Sequence, residues 1–483
     1  MTARALMFQG TGSDVGKSVL VAGLCRAYSR RGLRVLPFKP QNMSNNAAVT
    51  KNGGEIGRAQ WLQAVAAYAE PDIHMNPVLL KPESDTGAQV VVHGNVIAKA
   101  EAGTYQRLKQ ELLGAVMKSF ETLKSEADLV LVEGAGSPAE VNLREGDIAN
   151  MGFALPSDTP VVLIGDINRG GVIASIVGTH ILLPPEERAL IKGVIINQFR
   201  GDVRLFDGGI TRIEQDTGWP SFGVVPFLSC VRELPAEDAV VLEQTARRKK
   251  TSFKIVVPLL PRIANFDDLD PLKAEDGVDV VFCPPGMPLP RDAGLIVLPG
   301  SKNTIADLRF LKAEGWATDI LAHTRAGGAV LGLCAGYQML GNLICDPKGV
   351  EGKADHEAGL GLLDIETTME PEKTTKQCTA EVPMFGCDTS GYEIHIGETE
   401  GAATTFMIVN ERAIGHHDEN RRVFGTYLHG LFENGTFRQK FMKRLGVNTT
   451  AEDHLTRVNK ALDAFADALE EHLDLDQILD QAC

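Results

Sequence analysis

The sequence of 483 residues contains no run of eighteen or more apolar residues, so no membrane-spanning helix is expected from it. It also shows no signal-peptide pattern. Met1 leads straight into strand-like residues, and a cytoplasmic location is the default expectation. None of the eight cysteines (Cys25, Cys230, Cys283, Cys334, Cys345, Cys378, Cys387, Cys483) forms a CxxC pair. Their scatter argues against a zinc site or a disulfide framework and for reduced thiols. Positive charge is in deficit too: 48 Lys and Arg face 63 Asp and Glu, for a formal net charge of −15. Such a chain is not built to coat nucleic acid, although a local cationic pocket for an anionic ligand remains compatible with it.

Length alone predicts two or three domains, and 44% apolar with 23% charged residues is ordinary for a soluble globular protein. Short apolar runs recur through the first half: Leu6–Gln9, Asp128–Gly134, Pro160–Asp166 and Lys192–Phe199. They are continuous rather than alternating and are separated by helical stretches, which implies a parallel sheet covered on both faces. Around Thr245–Ser252 the chain turns polar and basic. A second series follows, with Phe253–Leu260, Asp279–Cys283, Gly294–Gly300 and Gly328–Cys334, and a Leu/Ala pattern from Ala451 reads as C-terminal helix. The expected organisation is therefore a domain over 1–245, a linker over 246–252, a second domain over 253–450 and a helical segment over 451–483. The fold class is α/β, with two doubly wound, mostly parallel sheets.

Gly10–Ser18 reads GTGSDVGKS, directly after the first strand and before an amphipathic helix over Val19–Arg30. Glycines such as Gly12 and Gly16 let backbone N–H groups curl around phosphate oxygens. Lys17 then reaches the outer phosphates and Ser18 a magnesium ion. Thr11 stands where a strict Walker motif has Gly. Glu133 and Asp166 end apolar runs where a cation bound to phosphates takes carboxylates, though an acid at a strand end also serves to cap the next helix. Asn197 ends another strand where an adenine base could be read.

In the second half, LGLCAGYQMLG (Leu331–Gly341) sets Cys334 between a strand and a helix. This is the arrangement that exposes a nucleophile beside helix N-terminal amides. His429, in FGTYLHGLFEN (Phe424–Asn434), is the candidate base, with His395, His416 and His417 as rivals. LPGSKNT (Leu298–Thr304) is the expected oxyanion strand, offering the N–H of Gly300 or Ser301 together with that of Ala335.

The first half resembles the dethiobiotin-synthetase-like branch of P-loop proteins, and the second resembles the class I glutamine amidotransferases. That family usually places Glu two residues after the catalytic His, but position 431 is Leu. A Cys–His dyad, or a differently sourced third group, is then expected, with Glu433 pointing elsewhere. The combined order, with PFKPQNMSNN (Pro37–Asn46), VEGAGSPAEVNL (Val132–Leu143) and GDINRGG (Gly165–Gly171), resembles the corrinoid amidases, and within them the cobyric acid synthase family.

The resemblance implies ATP- and glutamine-dependent amidation of the b, d, e and g carboxylates of adenosylcobyrinic acid a,c-diamide. ATP and Mg²⁺ are the implied cofactors. Glutamine, ATP and a corrinoid polycarboxylate are the implied small-molecule partners, without nucleic acid or membrane, and a homo-oligomer is compatible with the sequence. Lys39, Arg58, Lys81, Arg144 and Arg169 are candidate cations for the carboxylates, although a solvated surface role is the better expectation for any one of them. An a,c-diamide synthase, a cell-wall amidating relative, a regulatory P-loop ATPase and a plain glutaminase remain open alternatives.

Overall fold

The computed structural model describes residues 3–82, 87–235 and 253–483, and the elements named below are those among the described residues. The expected linker over 246–252 lies outside them. The described residues of Met1–Ser44, Gly54–Glu237 and Val458–Cys483 make one compact unit, and those of Asn45–Gly53 and Asp238–Arg457 make a second.

The four apolar runs of the first half become β1 (Arg4–Gly10), β3 (Leu129–Glu133), β4 (Val161–Asp166) and β5 (Ile191–Phe199), and two further strands, β2 (Val35–Phe38) and β6 (Ser221–Pro226), join them. The sheet order is β6-β5-β4-β1-β3-β2, with every pairing parallel. Separate apolar clusters cover its two faces. After β1 the chain places β2 at one edge, returns to set β3 between β2 and β1, and then crosses to build β4, β5 and β6 outward on the other side. The carboxyl end of β1 therefore lies at the topological switch, where such sheets bind ligands, and the Gly-rich loop Gly10–Ser18 leaves the sheet at that point.

In the second unit, β7 (Phe253–Pro258), β8 (Val278–Cys283), β9 (Leu295–Leu298), β10 (Ala329–Leu333), β11 (Ile365–Val382), β12 (Cys387–Gly401), β13 (Thr404–Val409), β14 (Arg412–His417) and β15 (Val423–Thr426) follow in chain order. The parallel part runs β8-β7-β9-β10-β15. Beyond β15 the sheet continues antiparallel through β14, β13 and β11, with β12 paired along β11 as a long hairpin. Residues 365–369 alternate buried and exposed, as a half-solvated antiparallel strand should. Continuous apolar runs do not mark such strands, so they carry no signal of that kind in the sequence.

The short helix α2 (Ala335–Met339) follows β10, and α3 (His454–His472) begins the C-terminal helical segment. From Val458 onward this segment belongs to the first unit. Val458, Ala461, Leu462, Phe465, Ala466 and Leu469 recur at three- and four-residue spacing and join the core beneath α1 (Lys17–Arg30). Arg26 pairs with Asp463, Arg30 with Asp467 and Arg31 with Asp476, each pair with at least one well-exposed partner and hence worth little alone. Shape decides the docking. A Cβ on Gly23 would lie 2.5 Å from the Phe465 ring and 2.6 Å from Leu469. Gly23→Val should therefore destabilise the first unit by about 1–3 kcal/mol through overpacking, read as a lowered urea midpoint. An unchanged midpoint would mean that the C-terminal helix is not held at this crossing.

Candidate active site

At the carboxyl end of β1, Gly16 is the residue before α1 and adopts φ 86°, a left-handed conformation that glycine takes without strain. A Cβ on Gly10 would sit 2.6 Å from Val15 and 2.9 Å from the Gly12 carbonyl, so the loop closes tightly only with glycine there. Lys17 Nζ donates to the carbonyls of Gly12 (2.9 Å) and Gly136 (3.1 Å). Ser18 Oγ donates to Glu133 Oε1 at 2.6 Å. That buried carboxylate is also met by Lys39 Nζ at 2.9 Å and Gln63 Nε2 at 2.6 Å. Asn197 Nδ2 donates to Val15 O at 2.8 Å, so the end of β5 holds the phosphate loop directly. Asp166 ends the neighbouring strand. Its Oδ1 accepts from Asn168 N at 2.7 Å, closing its own turn, and Arg169 links that turn to Asp14 of the phosphate loop at 3.2 Å.

The surface expectation for the cations fails at three positions. Lys39, Arg58 and Lys81 are buried; Lys39 is paired with Glu133, Lys81 with Glu55, and Arg58 lies over the Trp61 ring. A buried ammonium needs a carboxylate partner, and both Glu133 and Glu55 fall inside the same fold core. Arg144 pairs with Glu187, and Arg169 is largely exposed.

In the second unit, Cys334 stands between β10 and α2 with φ 52° and ψ −109°, a conformation that costs a non-glycine residue on the order of 1–3 kcal/mol. Its surroundings enforce it. The Cys334 N–H donates to Thr426 O at 2.9 Å, and a Cβ on Gly336 would lie 2.1 Å from Leu298 O, so the elbow packs directly against β9. Cys334 Sγ is directed at the Ile394 carbonyl, 3.6 Å away. As the first residue of α2, Ala335 has an N–H with no intrahelical acceptor.

His429 follows β15 on a two-residue strand beside β12 and is buried. Its Nδ1 lies 2.7 Å from Asp268 Oδ2, and Gly430 N donates to Asp268 Oδ1 at 2.6 Å. The structure thus sets a carboxylate from elsewhere in the chain against His429. Asp268 sits in ANFDDLD (Ala264–Asp270), just after β7 and distant in sequence from His429. The only signal for it was an acid-rich turn after the first strand of the second series. Leu431 is fully buried, and its carbonyl accepts from Thr389 Oγ1. Burial by itself lowers the His429 pKa, but the charge and hydrogen bond of Asp268, with a smaller contribution from Cys334, reverse this and push it up to about 10. The ring is buried, and the Cys334 side chain lies close enough to act on it.

Gly300 is adjacent as well. A Cβ there would be 3.5 Å from His429 Cε1, and Gly300 and Ser301 pair with Ala264 and Ile263 across a short antiparallel bridge. Ser301 Oγ donates to Asp307 Oδ2 at 2.6 Å, anchoring the turn. The rival histidines are engaged elsewhere: His395 with Glu393 and stacked on Tyr427, His416 with Tyr337 Oη, His417 with Asp418 O.

The raised His429 value fixes the sign of a pH effect. An imidazolium favoured in the folded state stabilises it fully below the ordinary value of 6.5, and this contribution disappears as pH rises to about 10. Asp268→Asn removes the main cause. Its stability deficit relative to wild type should be largest near pH 6 and shrink toward pH 10 in urea unfolding of the second unit. A deficit independent of pH would refute the imidazolium–carboxylate pair.

Comparison with known proteins agrees with both halves. Residues 6–241 match the CobQ/CobB/MinD/ParA nucleotide binding domain family, and residues 254–437 match the CobB/CobQ-like glutamine amidotransferase domain family. A cobyric acid synthase from Brucella suis is 58% identical over 476 residues, covering 98% of this chain and 99% of that one. Another, from Mesorhizobium japonicum, is 57% identical over 485 residues, covering 99% of each. With a phosphate-binding loop in one unit, a Cys–His–Asp arrangement in the other, and identity at this level along nearly the whole length, the chain belongs to the cobyric acid synthase family.

Proposed function

We propose that this chain amidates the b, d, e and g carboxylates of adenosylcobyrinic acid a,c-diamide, using ATP to activate each carboxylate and glutamine as the nitrogen source. The observation that carries this reading is the pairing, in one chain, of the strained Cys334 elbow beside a buried His429–Asp268 pair with the Ser18–Glu133 phosphate loop. A nucleotide switch has no use for the first of these, and a plain glutaminase has none for the second. Cobalt belongs to the substrate.

On this reading Cys334 Sγ attacks the glutamine carboxamide carbon. The N–H groups of Gly300, Ser301 and Ala335 receive the charge that develops on its oxygen. His429 delivers a proton to the departing nitrogen, ammonia leaves, and water hydrolyses the thioester to glutamate. Asp268 holds the imidazole in one tautomer and stabilises its charged form. In the other unit, the γ-phosphoryl group of ATP passes to a substrate carboxylate, giving an acyl phosphate. Ammonia attacks its carbonyl carbon, and phosphate leaves. Lys17 and the loop amides position the phosphates, and Asn197 joins the loop to the base end of the nucleotide. Ser18, Glu133 and Asp166 are the residues that would hold Mg²⁺, which would neutralise phosphate charge there. No helix among the described residues is long and apolar enough to cross a membrane. We place the protein in the cytoplasm, where its eight free thiols stay reduced.

Incubation with ATP, glutamine and the corrinoid acids, with added amides counted by mass, tests the assignment: four new amides on the a,c-diamide are expected. Two amides placed on the a and c positions of the parent acid would identify a diamide synthase instead. Cys334→Ala should abolish glutamine-dependent amidation and keep the ammonia-dependent reaction, whereas Lys17→Ala should abolish both. His429→Ala should lower glutaminase activity by on the order of a hundredfold or more. Asp268→Asn should cost far more than Glu433→Gln, and equal losses in those two would remove Asp268 from its role.

A further inference from the structure

The ammonium of Lys17 is held between two carbonyls. One, Gly12 O, belongs to the phosphate loop itself. The other, Gly136 O, belongs to the stretch Gly134–Ser137 that leaves β3. Glu133, the last residue of β3, accepts from Ser18 Oγ, so the phosphate loop is met from both ends of the short segment 133–136. The ladder bonds that fix Glu133 stop with the strand. Gly134 N still donates to Phe8 O of β1 at 2.9 Å. The next residue is held by a side chain instead. Asn150 Nδ2 donates to Ala135 O at 2.5 Å, and Ala135 N donates to Asn150 Oδ1 at 3.1 Å. One amide thus satisfies both backbone groups of Ala135, as a neighbouring strand would. A Cβ on Gly134 would lie 2.4 Å from Asn150 Oδ1, so the approach requires glycine there.

Asn150 is itself fixed in place. The Asp147 carboxylate accepts from Ala149 N at 2.8 Å, from Asn150 N at 3.1 Å and from Gly152 N at 2.8 Å. The Asn150 carbonyl accepts from Phe153 N at 3.0 Å and Ala154 N at 2.9 Å, which opens the helical turn Met151–Ala154. Phe153 in that turn is buried against Phe38 and Phe120, with ring centroids 5.5 and 5.0 Å away. Asn150 is buried as well, so water competes poorly for its two bonds to Ala135.

We infer that Asn150 is a positioning residue for carboxylate activation: by clasping Ala135 it holds Gly136 O against Lys17, and so sets where the ammonium meets the outer phosphates of ATP. This rests on the ATP-dependent reading above. Gly136 has φ 63° and is free to adopt other conformations once its neighbour is released. Glu133 keeps its place in the sheet without the clasp, because its partners are strands. The loss therefore falls on Lys17 and on the phosphates that it reaches, and spares the rest of the nucleotide.

The test measures the affinity of the full-length enzyme for ATP and for AMP in wild type, Asn150→Ala, Lys17→Ala and the double variant. AMP lacks the outer phosphates and reports whether the remainder of the site is intact. Asn150→Ala should weaken ATP binding by about tenfold or more, the usual worth of a hydrogen bond to a charged group. It should change AMP binding by less than about twofold, as expected of an independent contact. In the Lys17→Ala background the same substitution should change ATP binding by less than about twofold, because two changes that act through one contact do not add. Unchanged ATP affinity in Asn150→Ala would overturn the proposal. So would an equal loss for ATP and AMP, or a loss without Lys17 as large as the loss with it. Where alanine prevents folding, Asn150→Asp goes through the same cycle under the same criteria; it keeps the size and the acceptor for Ala135 N but does not donate to Ala135 O. A wild-type enzyme that binds ATP no better than AMP would instead overturn the ATP-dependent reading itself, and the proposal with it.

Discussion

Asp268 is a carboxylate placed out of reach of water, and the second unit is arranged so that two donors, His429 Nδ1 and Gly430 N, meet its two oxygens. An ionised carboxyl cannot be left bare in such a place. The need to satisfy it fixes the imidazole tautomer, the path of the chain after His429 and the direction in which Nε2 is presented. The same requirement shapes the other centre, where buried Glu133 draws Ser18, Lys39 and Gln63 around its two oxygens. Glu393 repeats it on β12, one residue before Ile394, whose carbonyl faces Cys334 Sγ. Burial raises its pKa, but hydrogen bonds from His395 and Arg412 and the Arg412 charge bring it down to about 2.

These carboxylates do more than hold the fold. A buried charge answered by donors from distant parts of the chain gives one arrangement a large advantage over near alternatives, because each missing donor leaves an uncompensated group. Asp268 and His429 come from opposite ends of the second unit's sequence, and Ser18, Lys39, Gln63 and Glu133 from four separate elements of the first. The strained backbone at Cys334 is held by similar means: its N–H is committed to Thr426 O, and Gly336 lets α2 press against β9.

The division of the chain is less linear than its motifs. Apolar runs order the strands, and the Leu/Ala pattern after Ala451 forms a helix, yet helical periodicity does not say against what its apolar stripe packs. The partner of Phe465 and Leu469 is α1, near the opposite end of the chain, at a glycine where no side chain intervenes. Asn45–Gly53 is equally silent in sequence. The carbonyls of Ala47 and Val49 accept from Tyr392, Asn265 and Gln377, and a carbonyl has no residue identity to read.

The sequence by itself determined whatever depends on contiguous residues. Strand and helix at Gly10–Ser18 and again around Cys334 follow from glycine placement and apolar runs, because a phosphate loop and a nucleophile elbow are each built from one short stretch. His429 could be ranked above its rivals on local context alone. The tertiary structure decided what depends on pairing. That Asp268 meets His429, that Lys39 and Lys81 are buried beside carboxylates, and that the C-terminal helix lies on α1 are facts about residues far apart in the chain. A turn rich in acids looks the same in sequence whether its carboxylates face solvent or a histidine. Only the closure of β7 and β15 into one sheet distinguishes the two, because it brings the ends of distant strands to a common edge.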